Sequence, residues 1–232
     1  MLVSLERALS KLGYCSRSKA TNLIVTGKVT VDGKTITSPA KRINLESNIT
    51  VDGKNISKPK IIWIMLNKPK SIVTTAKDPE GRKTVYDIVK VPYHIFPVGR
   101  LDYDTSGMLL MTNDNELAEH ISSPNSKVEK TYLLKVKGNP DLKILEKGAV
   151  LSGELLKPKK VKLIKSNPNS AIIEMMITEG RNRQIRRMLE AAEIKLLSLK
   201  RIAIGQLELG DLKPGKYRIL DDSDLKKMTQ KK

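Results

Sequence analysis

The chain has one cysteine (Cys15), two histidines (His94 and His120), one tryptophan and one phenylalanine among 232 residues, and aromatics make up only 3%. A lone cysteine forms no internal disulfide, so a reducing compartment is expected. The two histidines are far apart in sequence, with no metal-ligand spacing around either, so a zinc site is not expected. No apolar run approaches the roughly 18–20 residues that crossing a bilayer requires. The opening stretch, Met1 to Arg7, lacks the basic-then-apolar order of a signal peptide. The expectation is a cytoplasmic protein with no membrane partner.

Acidic residues are scarce as well: 25 Asp and Glu stand against 43 Lys and Arg, a formal charge of +18. Such an excess implies a polyanionic partner. A membrane-surface binder would gather its charge on an amphipathic helix with bulky apolar residues. Here the basic residues are spread along the whole chain, which favours nucleic acid. The 39% apolar content is enough to bury a core, and the length suits a small domain followed by a larger one.

Residues 1–58 read as that small domain. Leu5, Ala8, Leu9 and Leu12 recur at helical spacing behind Ser4, a candidate N-cap, and Gly13 is the stop. Ser16 opens a second helix with Ala20, Leu23 and Ile24 inward and Gly27 at its end. Lys28 to Ile36 then reads as a hairpin turned at Asp32-Gly33, and Thr-Val-Asp-Gly-Lys recurs at Thr50–Lys54 as a second turn. Ser57-Lys58-Pro59-Lys60 has linker composition. Beyond it, Ile61–Leu66 reads as a strand buried on both faces, with later strands at 131–136, 160–164 and 171–177. Helices are expected at 115–121, 142–147 and 184–192, followed by a charged tail that includes Lys226-Lys227 and Lys231-Lys232. Strands outnumber helices without strict alternation, so the fold class is α+β on a mainly antiparallel sheet.

The densest chemical signal is Gly99-Arg100-Leu101-Asp102-Tyr103-Asp104-Thr105-Ser106-Gly107. Asp102, Asp104, Ser106 and Gly107 mimic the start of a calcium loop, but Asn113 stands where a bidentate glutamate is required, so calcium is rejected. A polar turn leading into an apolar strand accounts for these aspartates equally well. What favours chemistry is Arg100 nearby. A carboxylate beside a guanidinium stays ionised, and an ionised carboxylate in a basic cleft repels RNA phosphate, so it needs a role other than binding.

Gly99-Arg100-Leu101-Asp102 with Thr105-Ser106-Gly107-Met108-Leu109 closely resembles the central motif of ribosomal-RNA pseudouridine synthases. Leu66-Asn67-Lys68-Pro69, Glu129-Lys130-Thr131-Tyr132, Glu179–Met188 and Leu199–Gly205 resemble its other motifs in the family's order. The two short helices and Gly-Lys hairpins in front, with Ser16-Arg17, Lys19 and Gly27-Lys28-Val29, resemble the alpha-L RNA-binding module. The resemblance implies an alpha-L domain at 1–58 and a pseudouridine-synthase catalytic domain at 61–232 that works with no cofactor. It further implies that Asp102 initiates the reaction, that Tyr132 packs on the target base and helps remove the proton at its carbon 5, and that Arg186 pairs with Asp102. Arg100 is implied to push the target nucleotide out of the RNA stack, because a stacked base is unreachable.

The resemblance implies that Lys68 shapes the cleft wall and that Leu199 lines the base pocket, a core leucine being the competing reading; Arg181, Arg183 and Arg187 are expected to contact phosphates, and Arg17, Lys19 and Lys28 to add RNA contacts on the small domain. At helical spacing Arg183 and Arg187 share a face and Arg186 points elsewhere. The expected substrate is ribosomal RNA, from the large subunit in preference to the small, either free or in an assembly intermediate, acted on by a monomer. A non-catalytic RNA-binding or ribosome-assembly factor fits the composition equally, but would not need Asp102, Tyr132 and Arg186 together.

Overall fold

A computed structural model describes residues 2–56, 60–151 and 153–230. The chain divides into two compact units, one of Met1–Ile62, Val91–Phe96 and Thr112–Asn115, the other of Trp63–Lys90, Pro97–Met111 and Glu116–Lys232. The expected linker at 57–60 lies outside the described residues except for Lys60, as do Lys231 and Lys232 of the tail.

In the first unit, β1 (Leu2–Ser4) leads into α1 (Leu5–Lys11), followed by α2 (Arg17–Val25). Leu5, Ala8, Leu9, Ala20 and Ile24 enter the core as their spacing predicts, whereas Leu12 and Leu23 are only partly buried. Ser4 makes no side-chain cap. Instead the first N–H groups of α1 donate to backbone carbonyls, Leu5 to Lys41 at 2.8 Å and Glu6 to Pro39 at 3.2 Å. Ser16 does cap α2, accepting from the Lys19 N–H at 3.3 Å.

β2 (Val29–Val31) and β3 (Lys34–Thr35) form the first hairpin; β4 (Arg42–Asn44) pairs with β1, and β5 (Ile49–Val51) and β6 (Lys54–Asn55) form the second hairpin. Asp32 and Gly33, and again Asp52 and Gly53, carry positive φ at both turn positions, the backbone of a type I′ turn. The repeated pentapeptides therefore do more than turn. β2 pairs with β5, placing Thr30 opposite Thr50 with their hydroxyls 2.8 Å apart, and the sheet runs β3-β2-β5-β6.

The larger unit is built on β7 (Trp63–Lys68), all six residues of it buried. α3 (Val85–Ile88), β8 (Phe96–Pro97), β9 (Thr105–Thr112), α4 (Asn115–Ser122) and β10 (Lys130–Lys137) follow. Then come α5 (Leu142–Lys147), the hairpin β11 (Ala149–Leu151) and β12 (Glu154–Leu156), β13 (Lys160–Asn167) and β14 (Ser170–Ile177). α6 (Gln184–Ala191), β15 (Leu196–Ile204), β16 (Leu207–Glu208), β17 (Tyr217–Ile219) and α7 (Asp222–Thr229) complete the chain.

The main sheet runs β13-β14-β10-β15-β9-β7-β17. β13 with β14, β14 with β10, β10 with β15 and β7 with β17 pair antiparallel, whereas β15 pairs with β9 in parallel. This is the expected mixed architecture on a mainly antiparallel sheet. Lys226 and Lys227 differ from expectation: they belong to α7, whose Met228 is fully buried, and the Gln206 N–H donates to Lys227 O at 2.8 Å. An Asp221–Asp224 capping box starts that helix, a signal present in the sequence but not read there. Among the described residues no helix is long and apolar enough to cross a membrane.

Candidate active site

The loop between β8 and β9 presents Asp102 from a backbone tied down on several sides. Buried Thr74 donates its hydroxyl to Leu101 O at 2.9 Å and accepts the Leu101 N–H at 3.4 Å. The Ser71 N–H donates to Tyr103 O at 2.8 Å, and the Thr105 N–H donates back to Asp102 O at 3.1 Å. Below the loop, Lys68 Nζ donates to Thr105 O at 2.9 Å and Pro69 O at 3.0 Å. Tyr103 carries Arg82 over its ring, and Arg82 is paired in turn with Asp78.

Gly107 explains why the motif needs glycine. It adopts a φ of +103°, and a Cβ there would stand 2.1 Å from Arg201 O, because β9 and β15 pair in parallel with Gly107 beside Arg201. That close approach brings Leu199 and Arg201 alongside the Asp102 loop.

A cavity of about 320 Å³ opens there, lined by Asp102, Tyr132, Arg186 and Leu199 together with Arg100, Arg181 and Arg183. Asp102 is one-third exposed. Arg186 Nε lies 3.5 Å from its carboxylate and Arg183 Nη1 3.7 Å. The strongest contacts of Arg186 go elsewhere, to Asp104 at 2.9 Å and to the Thr105 hydroxyl at 3.1 Å, while its Nε has no hydrogen-bond partner among the described residues. The arginine is thus a fork over Asp102, Asp104 and Thr105, close to the pairing the resemblance implies but shared between two acids.

Other expected residues are placed differently. Arg100 is exposed at the cavity, and among the described residues it forms no ion pair with Asp102; the cations beside that carboxylate come from about 80 residues further along the chain. Arg183 does not share a helical face with Arg187. It is the N-cap of α6 with a φ of +50°, which turns it toward Asp102.

Lys68 is a correction. It is fully buried, it does not line the cavity, and it serves the loop from beneath rather than meeting substrate. Burial pushes its ammonium down to about 8 despite the opposing pull of Asp102 and Asp104. Arg181 is matched by Glu179 at 3.1 Å and by Glu154, and Arg187 is half-buried outside the cavity lining.

In the N-terminal unit, Arg17 pairs with Glu6 at 2.5 Å, with the Thr21 hydroxyl on the other Glu6 oxygen at 2.9 Å. These bonds, Arg17 first, hold the Glu6 carboxyl below the usual range. Lys28 lies 3.8 Å from Asp52, and Lys19 is exposed.

Sequence reasoning missed Asp104, Thr105, Lys130 and Arg201 as site residues, although all four stand inside motifs already picked out. Lys130 is two residues from Tyr132, the spacing that puts two strand side chains on one face. Among the described residues no group of three or more His, Cys, Asp or Glu side chains is arranged to hold a metal ion.

The family described as RNA pseudouridylate synthase matches residues 62–191, and the S4 domain matches residues 4–49. Ribosomal large subunit pseudouridine synthase B of Bacillus subtilis (strain 168) is 39% identical over 230 residues, covering 97% of this chain and 94% of that protein. An uncharacterized RNA pseudouridine synthase of Aquifex aeolicus (strain VF5) is 39% identical over 231 residues, covering 97% and 93%. A solved crystal structure of a pseudouridylate synthase superposes with a TM-score of 0.68 at 29% identity, covering 97% of this chain and 99% of that one.

Proposed function

The chain belongs to the RNA pseudouridylate synthase family and carries an S4 domain in front, and we propose that it converts a specific uridine of large-subunit ribosomal RNA to pseudouridine with Asp102 as the reactive carboxylate. One observation carries this reading: among the described residues Asp102 is the only carboxylate lining the cavity, flanked by Arg183 and Arg186, and Tyr132 lines the same cavity. A cleft built only to bind RNA gains nothing from that carboxylate.

The target nucleotide leaves the RNA stack, with Arg100 at the exposed edge taking its place, and the base enters the cavity. Tyr132, 8% exposed, offers its ring as a stacking surface and its hydroxyl for proton transfer at carbon 5. Asp102 starts the reaction by attack at C1′, by addition to the uracil ring or by removal of the 2′ proton. Arg186 orients Asp102 through a charge-assisted contact to its carboxylate. Residues 1–58 act as an RNA-binding arm for a catalytic domain at 61–232, in a monomer working in the cytoplasm on free rRNA or on an assembly intermediate.

The large-subunit assignment is supported by the name of the Bacillus subtilis relative. The test is to incubate unmodified large- and small-subunit rRNA transcripts with purified protein and map pseudouridine at nucleotide resolution. A single new site in the large-subunit transcript is the expected result. A site confined to the small-subunit transcript would reassign the substrate, and RNA binding without product would leave an RNA-binding assembly factor.

A further inference from the structure

Six cations and one carboxylate line the cavity. Four of the six are accounted for: Arg181 meets Glu154 and Glu179, Arg183 and Arg186 meet Asp102, and Arg100 is open to water. Lys130 and Arg201 remain. Both are more than nine-tenths buried, at 8% and 5% exposure, and among the described residues neither has an acidic partner within 4 Å. Arg201 Nε donates to Met108 O at 2.7 Å, but its Nη2 is buried with no hydrogen-bond partner.

The sheet puts these two cations beside Tyr132. Arg201 pairs directly with Tyr132 across β10 and β15, and Lys130 lies two residues before Tyr132, so all three share one face. A register shift between Thr131 and Tyr132 leaves Ile202 as an extra residue, which swings both Arg201 and Ile204 to the cavity side. Burial, and next the positive charge of Arg201, push the Lys130 ammonium down to about 8. Two buried cations on one face of the sheet are unfavourable until an acceptor arrives. A backbone phosphate stays outside with the chain it belongs to. What reaches this depth is an extruded base.

We propose that Lys130 and Arg201 are catalytic residues that bind the carbonyl oxygens of the extruded uracil ring and carry its negative charge while it is detached from ribose. This rests on the isomerisation reading above. When the C1′–N1 bond breaks, its electron pair stays on N1 and spreads over O2 and O4. C1′ is left electron-poor, as an oxocarbenium centre or held by a carboxylate that departs again; the ring turns, an electron pair at C5 forms the new bond to C1′, the C5 proton passes to a base and N1 gains a proton, so no atom or electron is lost. Cations fixed at the carbonyl oxygens are worth most while that charge is present.

The test is single-turnover isomerisation by full-length Lys130→Met, Lys130→Arg and Arg201→Lys, with RNA affinity and melting temperature measured for each. Lys130→Met keeps the volume and removes a desolvated charge, so its melting temperature is expected to match or exceed wild type. Its affinity for target RNA is expected to be unchanged while its rate falls about 100-fold or more, with Lys130→Arg recovering most of that loss. Arg201→Lys is expected to lose rate at unchanged affinity; should it unfold, the Lys130 variants still decide.

The pH profile separates charge from packing. The titratable or charged groups that line the cavity with Lys130 are Arg100, Asp102, Tyr132, Arg181, Arg183, Arg186 and Arg201, and the charge that acts on its ammonium is that of Arg201. The ammonium is present below about 8 and lost above it, so the wild-type rate is expected to fall through that pH and the Lys130→Met rate to show no such step. A Lys130→Met rate within about three-fold of wild type, or a loss of rate that tracks a loss of affinity or stability, overturns the inference. A wild-type protein that makes no pseudouridine in any rRNA overturns the isomerisation reading and this inference with it. Active wild type with unaffected variants overturns only the inference.

Discussion

Arg17 and Lys28, in the N-terminal unit, keep 65% and 52% of their side-chain surface in water, whereas Arg186 in the catalytic unit keeps 13%. The first pair stand beside single surface acids, Glu6 and Asp52. Such contacts are worth little and are screened by salt, so these cations remain available to phosphates. Arg186 is instead committed to Asp102, Asp104 and Thr105, in a setting that water and salt reach poorly. On the proposed reading the same residue types do two kinds of work: surface charge raises RNA affinity over a broad area, and a mostly enclosed charge orients one carboxylate.

The sharpest test of that division is Asp102→Asn. The amide keeps the size and loses nucleophilicity and basicity, so isomerisation is expected to fall at least about ten-thousand-fold while RNA affinity stays within a few-fold. Activity in a preparation shown free of wild-type protein would break the assignment. Tyr132→Phe comes next. The ring still stacks but the hydroxyl is gone, and turnover is expected to drop about 100-fold with binding retained; unchanged turnover would leave Tyr132 only a packing role.

Arg186→Lys keeps the charge and loses the fork that spans two acids and a hydroxyl. A loss of about 10- to 100-fold in turnover with little change in melting temperature is expected, and full activity would exclude the orienting role. The smallest effect belongs to the other unit. Replacing Arg17, Lys19 and Lys28 together by Gln should leave the isomerisation of bound RNA unchanged and lower affinity for long rRNA. The slope of log affinity against log salt should become shallower by up to about 2–3 if each residue meets one phosphate. An unchanged slope would show that this face does not meet RNA.

The two units also differ in how much of them sequence reasoning could reach. In the N-terminal unit the helices, the caps at Ser16 and Gly27 and both Asp-Gly turns depend on residues within a few positions of each other, so they were legible. Even there Ser4 is the N-cap residue of α1 as expected but its side chain does not cap, because the first N–H groups are satisfied by Pro39 and Lys41, more than thirty residues away. In the catalytic unit the motif order pointed to the family and to Asp102, Tyr132 and Arg186, and the cavity gathers all three. Which cation would stand beside Asp102 was not legible. Arg100 is near in sequence and points to water, while Arg183 reaches Asp102 through a left-handed backbone that helical spacing does not anticipate.

What the sequence determined by itself was whatever is local or summed over the chain: an excess of positive charge that demands a polyanion, turn and cap chemistry, and a run of motifs specific enough to identify a family. The tertiary structure decided which side chains meet. The parallel pairing of β9 with β15 sets Gly107 against Arg201, and a one-residue register shift turns Arg201 to the same side as Tyr132. Burial leaves Lys68 outside the cavity lining and Lys130 within it. Strand register joins residues tens of positions apart, and a slip of one residue reverses the face a side chain occupies, so this part of the site depends on the pairing of whole strands and not on any local pattern.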